Sequence, residues 1–349
     1  MNAATTTATA PPGAVWVMGA GSVGCFVGGS LQAAGVPVHF IGRPRVLDAL
    51  RASGLTLSDL DGRRQHLPPG RLSLAETPPP RCDAEQPAPA LVLLCVKSSA
   101  TREASAALDQ ILAPRTPLLS LQNGVSNASV AQQAAPALRA LAGMVPFNVA
   151  QLGPGHFHRG SSGRLVAAKH GTLEPWLPWF ERARLPLELH ADMPAVQWAK
   201  LLLNLNNAVN ALSGLPLRTQ LLDRGYRRVL ADLQAEALAV LEAADIVPAK
   251  LTPLSPGWVP TVLRLPTPLF ARVAARMLRI DAHARSSMAD DLALERPTEI
   301  DALCGEVVRL AQRVGREAPH NARIAALVRT WPQRRQPYGP HELMEALGL

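Results

Sequence analysis

Residues 198–216, WAKLLLNLNNAVNALSGLP, set one lysine, Lys200, among four asparagines, Asn204, Asn206, Asn207 and Asn210, in otherwise small or apolar surroundings. A lysine amine becomes a usable proton donor and acceptor once burial draws its pKa toward neutrality, and carboxamides beside it can orient a polar substrate. Leu, Ala and Lys favour a helix, and Gly214 with Pro216 ends it. On a 3.6-residue period Lys200, Asn204 and Asn207 share one face. Asparagine is a middling helix former and is costly to bury unpaired, so this clustering needs a reason. Two readings fit the segment alone. One is a polar cleft wall with a lysine set for proton transfer. The other is an interface helix whose amides bond a neighbouring backbone while Lys200 reaches outward.

A second set of residues lies near the start. The apolar run at 15–18 leads directly into Gly19-Ala20-Gly21-Ser22-Val23-Gly24, a helical pattern closes at Gly35, and residues 37–41 read as another strand. Strand, GxGxxG, helix and strand within about 30 residues is the context in which this motif binds a dinucleotide. Gly19 permits the tight turn, Gly21 lets backbone approach a pyrophosphate, and Gly24 lets helix and strand pack closely. The next strand ends in Gly42-Arg43-Pro44-Arg45, where NAD-binding folds place an acid. A guanidinium there holds a 2′-phosphate through forked, charge-assisted bonds, so NADP is expected rather than NAD, with Arg43 as the contact.

The elements that carry these residues follow from pattern. Residues 54–67 alternate around Asp61-Gly62, a hairpin signal. Residues 68–89 are proline-rich and read as surface loop. Residues 91–96 form a continuous apolar strand, and Lys97 follows at its C-terminal end, where ligands of open α/β sheets bind. Residues 117–121 form another strand running into Gln122-Asn123-Gly124. Asn123 there suits a ribose or a carboxamide, or is a simple turn residue. Further strands are expected at 140–149, 163–168 and 185–190. His156 and His158 flank Phe157 in what reads as a hairpin with exposed imidazoles rather than a metal site, since no third ligand is near. After about residue 193 the pattern is helical at 195–212, 226–244, 268–281, 298–314 and 323–330, with a proline-rich connector at 248–266. Glu299 and Asp301 after Pro297-Thr298 read either as a helix start with favourable charge or as a catalytic carboxylate.

Bulk properties exclude several classes. A length of 349 residues suggests two domains, and 48% hydrophobic residues supply their cores. The formal charge is +8, yet the arginines are scattered and aromatics make up 4%, so an anionic small molecule is the expected partner rather than nucleic acid. Cys25, Cys82, Cys95 and Cys304 lie far apart without a CxxC pair and read as buried thiols in a reducing cytoplasm. No apolar run approaches the roughly 20 residues of a membrane span. Residues 1–14 have neither the basic nor the apolar region of a secretory signal and read as a disordered tail.

GAGSVG after the first strand, GR after the second, VKSSAT and LQNGVSN at two strand ends, WAKLLLN, and RSSMADDLALERPTEID occur in an order and spacing that resembles the ketopantoate reductase (2-dehydropantoate 2-reductase) family over residues 15–328. The resemblance implies an α/β protein with a Rossmann-like dinucleotide-binding domain, residues 15–192, followed by an all-helical substrate and catalytic domain, residues 193–349. It implies NADPH-dependent reduction of 2-dehydropantoate to pantoate in pantothenate and coenzyme A synthesis, or reduction of another 2-oxo acid on the same fold, and it is compatible with a homodimer. A non-catalytic NADP-binding sensor is the alternative of a different class. Lys200 takes the place of the family's catalytic lysine and Glu299 that of its substrate-contacting acid. Asn204 and Ser287 match substrate contacts, and Gly19, Ala20, Gly21, Ser22, Val23, Gly24, Arg43, Lys97 and Asn123 match cofactor contacts. No metal is implied. One departure stands out. The family's next asparagine falls, by count, on Ala208, while the ALSG that should follow it comes after Asn210, so either Asn207 or Asn210 takes that role. Asn207, on the face of Lys200, is favoured.

Overall fold

Residues Ala14–Met18 (β1) are buried on both sides because helices cover both faces of the sheet they belong to. Val15 and Val17 join a core with Phe26 and Leu31, while Trp16 between them joins Leu108 and Ala131 on the other face. This is why the run is continuously apolar rather than alternating. The computed structural model describes residues 10–79, 87–275, 278 and 284–349. The expected tail thus lies largely outside the described residues, as does Cys82, and Ala14 already belongs to β1. The chain divides into two compact units. One comprises residues up to Gln122 with Asn127–Met193, the other Asn123–Ser126 with Pro194–Leu349.

In the first unit β1 is followed by α1 (Ser22–Ala33), β2 (Val38–Ile41), α2 (Pro44–Ser53), β3 (Leu55–Asp59), β4 (Arg64–Leu67), β5 (Ser73–Ala75) and β6 (Pro89–Leu94). Then come α3 (Thr101–Asp109), β7 (Pro117–Ser120), α4 (Asn127–Ala134), β8 (Arg139–Met144), β9 (Val149–Gly153), β10 (His156–Arg159), β11 (Leu165–Ala168), α5 (Leu177–Arg182) and β12 (Leu187–His190). Eight strands form one sheet in the order β12-β11-β8-β7-β6-β1-β2-β5, parallel except where β11 meets β8. The chain winds outward from β1 through β2 and then returns to its other side with β6, so β1 marks the topological switch point. Met18 pairs with Ile41 on one side and Leu94 on the other, which brings three strand C-termini to one level. Ligands of such sheets bind there.

The remaining strands form a smaller sheet, β4-β3-β10-β9. Its β3–β4 hairpin turns at Asp61-Gly62 as expected, with Asp59 Oδ1 accepting the amides of Asp61 and Arg63. β9 and β10 form the second hairpin, but its imidazoles are not exposed. His156 and His158 are half-buried, and both ring systems bond Ser58 Oγ, at 2.8 and 2.9 Å. Two stretches differ from expectation. The proline-rich 68–89 segment contributes β5, which pairs with β2. Residues 140–149 are not one strand, since Pro146, which has no N–H for a ladder, lies between β8 and β9.

The second unit is helical, with no strand among the described residues. Its helices are α6 (Met193–Asn204), α7 (Asn206–Ser213), α8 (Leu217–Leu222), α9 (Arg224–Ala243), α10 (Val259–Leu263), α11 (Thr267–Val273), α12 (Ser287–Ala293), α13 (Cys304–Arg313), α14 (Pro319–Arg329), α15 (Trp331–Arg334) and α16 (Pro340–Leu347). The expected helix at 195–212 is interrupted at Leu205, and the 248–266 connector contains α10. The expectation for 268–281 is met by α11 at its start and falls outside the described residues at 276–277 and 279–281. α9 runs through the core on Val229, Leu233, Ala237, Val240 and Leu241. The fully buried Arg227 donates to the carbonyls of Leu221, Leu222, Leu263 and Leu265 and stacks on Phe270, binding α8, α10 and α11 to α9. No helix among the described residues is long and apolar enough to cross a membrane.

Candidate active site

The glycine turn is built as its sequence suggests. Gly19 has φ +110°, in the region that favours glycine, and a Cβ there would lie 2.5 Å from the Val96 nitrogen. A Cβ on Gly24 would meet the Gly19 carbonyl oxygen at 2.2 Å, so α1 packs on the turn only because the side chain is missing. The amides of Gly19 and Ala20 both donate to the Ile41 carbonyl at 2.9 Å, which ties the turn to the end of β2. Above Gly21, in contrast, there is open space within 4 Å of where a Cβ would sit. Gly21 is the N-cap of α1 and supplies no side-chain acceptor. The first amides of a helix have no intrahelical partner and carry the positive end of its dipole. Open room above uncapped amides is a fit for a pyrophosphate. Ser22 and Val23 begin the helix and are half-buried at this mouth.

Arg43 lies two residues beyond Ile41, exposed, at the N-cap of α2. Arg45 is exposed as well. Lys97, half-buried, is the N-cap of a short 3-10 turn three residues past β6. The fold therefore gathers the turn, Arg43 and Lys97 at the C-terminal ends of the adjacent strands β1, β2 and β6. A buried network that sequence reasoning missed fixes the neighbouring strand ends. Gln122 donates to Thr101 Oγ1 and to the Val96 carbonyl, Ser120 donates to Gln122, and Thr101 donates to Asn127, which in turn donates to Ser98.

In the second unit, the segment Asn123–Ser126 lies along the α6 face that carries Lys200. Asn204 Nδ2 donates to Asn123 Oδ1 at 3.3 Å, and Gln197 Nε2 reaches the Gly124 carbonyl at 3.5 Å. Lys200 falls between these two contacts on the same face, three residues after one and four before the other. Asn123 Nδ2 donates to Glu299 Oε2 at 3.0 Å. Asn123, Glu299 and the α6 face of Lys200 and Asn204, from three separate stretches of sequence, are thus linked through one short segment. Glu299 does not open an α-helix. It caps a 3-10 turn, and α13 begins only at Cys304.

Burial pushes the Lys200 amine down to about 8 from its usual 10.5. Such a shift costs the fold on the order of 3 kcal/mol at neutral pH. The unfolded chain holds the proton more tightly, so this cost grows as pH falls from 10.5 toward 8 and is fully present below.

The remaining predicted contacts part company. Asn210 is fully buried and spends its carboxamide inside the fold, donating to the Leu215 carbonyl and accepting the Ser286 amide, each at 2.9 Å. Both ends of the carboxamide thus have a partner inside the fold. Asn207, beyond the break at Leu205, is half-buried on α7, and its backbone carbonyl accepts the Ser286 hydroxyl. Ser286, absent from the sequence-based candidates, caps α12 through the Ala289 amide, and Ser287 is the exposed first residue of that helix. The two adjacent serines give no sequence signal of which one is structural.

The profile described as ketopantoate reductase PanE/ApbA matches residues 15–171, and that of its C-terminal region matches 192–331. The chain belongs to the ketopantoate reductase family. A PanE/ApbA family ketopantoate reductase from Ralstonia eutropha is 31% identical, with the match covering 92% of this chain and 99% of that one at a TM-score of 0.76. The 2-dehydropantoate 2-reductase of Halobacterium salinarum is 29% identical over 322 residues, 90% of this chain and 97% of that protein. The fold extends beyond the ketopantoate reductases, since a D-mandelate dehydrogenase solved with NADH and anilino(oxo)acetate has a TM-score of 0.72 at 17% identity.

Proposed function

We propose that this chain reduces 2-dehydropantoate to pantoate with NADPH, as its named relatives do, in the cytoplasm. The observation that carries the reading is the Asn123–Glu299–Asn204 cluster set along the helix face of a lysine whose amine burial brings to about 8. The dinucleotide, when bound, supplies the two-electron reducing equivalent. Gly19 to Gly24 would receive its pyrophosphate on backbone amides, Arg43 would hold its 2′-phosphate, and Lys97 and Asn123 would hold its ribose and carboxamide. As the substrate carbonyl is reduced, negative charge grows on its oxygen. The Lys200 ammonium stabilises that charge and delivers the proton, and a donor with a pKa close to the working pH does so most effectively. Glu299 accepts a hydrogen bond from the substrate hydroxyl, and Asn204, Asn207 and Ser287 orient the remaining polar groups.

A second reading, reduction of a different 2-oxo acid, is favoured by one observation. Ala208 stands where the family places an asparagine, and Asn210 is spent inside the fold. The substrate end of the site therefore differs from the family pattern. A sensor without turnover gains nothing from an amine held at such cost to stability.

NADPH oxidation assayed with 2-dehydropantoate and a panel of smaller 2-oxo acids tests the function. The highest kcat/KM should fall on 2-dehydropantoate, and turnover should decline as pH rises through about 8, where Lys200 loses its proton. Lys200→Ala should cut kcat by about 10²–10⁴-fold and leave NADPH binding nearly intact. Unchanged turnover in that variant removes Lys200 from the mechanism, and preference for another oxo acid selects the second reading.

Arg43→Ala should weaken NADPH by about ten- to a hundredfold and NADH little, the scale of lost charge-assisted bonds. Equal losses for the two dinucleotides contradict the 2′-phosphate assignment.

We also propose a homodimer. Val247, Leu251, Leu254, Trp258, Leu269 and Val273 of the second unit remain exposed, an apolar density that a partner surface explains. Sedimentation velocity should show a dimer at micromolar concentration, and a monomer there contradicts the assignment.

A further inference from the structure

Glu306 is a carboxylate with 1% exposure in the first turn of α13, and the mechanism above makes no use of it. A buried carboxylate is costly unless it is paired and hydrogen-bonded. Arg309 pairs with its Oε2, and Arg313 lies 3.9 Å from its Oε1. Both arginines are on the solvent side, with side chains 48% and 63% exposed, so they would serve a carboxylate at the surface equally well. On the inner side, Ser126, 180 residues away in sequence, donates its hydroxyl to Oε2 at 3.1 Å.

Ser126 closes the segment that Asn123 opens. Between them Gly124 has φ +94°, so the chain turns sharply there. Glu299 receives Asn123 at one end, and Glu306, seven residues further along the same stretch, receives Ser126 at the other. One short piece of chain thus grips both ends of a four-residue loop, and α6 touches the loop from the Lys200 face. With the Ser126 bond removed, the loop would lose its tie to α13 and keep those to Gln197, Asn204 and Glu299, and the Asn123 carboxamide would be less firmly oriented toward Glu299 and Asn204 together.

We propose that Glu306, acting through Ser126, is a positioning residue that sets the Asn123 carboxamide in the active site. The inference rests on the site reading given above for Asn123 and Glu299. Sub-ångström errors in the placement of a contacting group lower turnover without dissolving the site.

Ser126→Ala tests this, because it leaves the Glu306–Arg309 pair intact and does not bury an unpaired charge. Its kcat/KM for NADPH-dependent 2-oxo acid reduction should fall about tenfold, the scale of one hydrogen bond to a charged group. In an Asn123→Ala background the same substitution should cause no further loss, as expected of two residues acting through one contact. Glu306→Gln, which can still bond Ser126, should retain most of the activity that Glu306→Ala loses. Additive losses for Ser126 and Asn123, or wild-type kinetics in Ser126→Ala, overturn the inference. A readout independent of substrate uses protein labelled with ¹⁵N-asparagine. Ser126→Ala should shift the Asn123 carboxamide resonances and leave those of Asn321, which bonds Glu236, in place. An unmoved Asn123 signal overturns the positioning role whatever the enzyme reduces. Moved signals in a protein that turns over no 2-oxo acid leave the positioning intact and refute the reductase reading instead.

Discussion

The account depends on the desolvation of one amine. A lysine on an exposed helix face keeps its proton through the physiological range and is a poor acid. Lys200 is held where burial brings it to about 8, at an energetic cost to the fold. Gln197 and Asn204 share its helix face, and a carboxamide can orient a polar ligand through both its donor and its acceptor. The carboxylate in the cluster, Glu299, is engaged by Asn123. Four asparagines in seven residues, odd as helix composition, make sense when divided by task. Asn204 bonds Asn123, the Asn207 backbone accepts the Ser286 hydroxyl, and Asn210 fastens α7 to the cap at Ser286. Asn206 is buried on α7, and its Oδ1 has no hydrogen-bond partner among the described residues.

The first unit shows the complementary logic. It offers amides rather than side chains, in a turn where glycine is required twice by contact and once by the room it leaves. The strand order places that turn at the switch point, and the register levels the strand ends around it. Arg43 and Lys97 stand at the neighbouring strand ends, exposed and half-buried.

The glycine turn, the β3–β4 hairpin and the buried central strands were legible because each is local: the motif, the Asp-Gly turn and the apolar runs carry their own signal. So was the helix that carries Lys200 and Asn204 one turn apart. Helix α2 carries a local signal too, Pro44 at its first position. Helices α3 and α4 are short and weakly patterned because they are decided by packing on the sheet. β5 hid among prolines, since an edge strand of three residues needs only one neighbour. The break at Leu205 has no local cause in composition. Other features are invisible in principle to a local reading. Nothing near Asn210 says that its amide bonds Ser286, 76 residues on, and nothing near Glu306 points to Ser126. Burial of polar groups in pairs that are distant in sequence is a tertiary property, and it decided which candidates face the site and which hold it together.

The most direct measurement of the central claim is the titration of the Lys200 amine itself, by NMR of protein carrying ¹⁵N- and ¹³C-labelled lysine, with the resonance assigned by Lys200→Met. A midpoint close to 8 is predicted. A midpoint above 10, the value of a solvated lysine, would contradict the account, because the amine would then be neither desolvated nor poised to give up its proton.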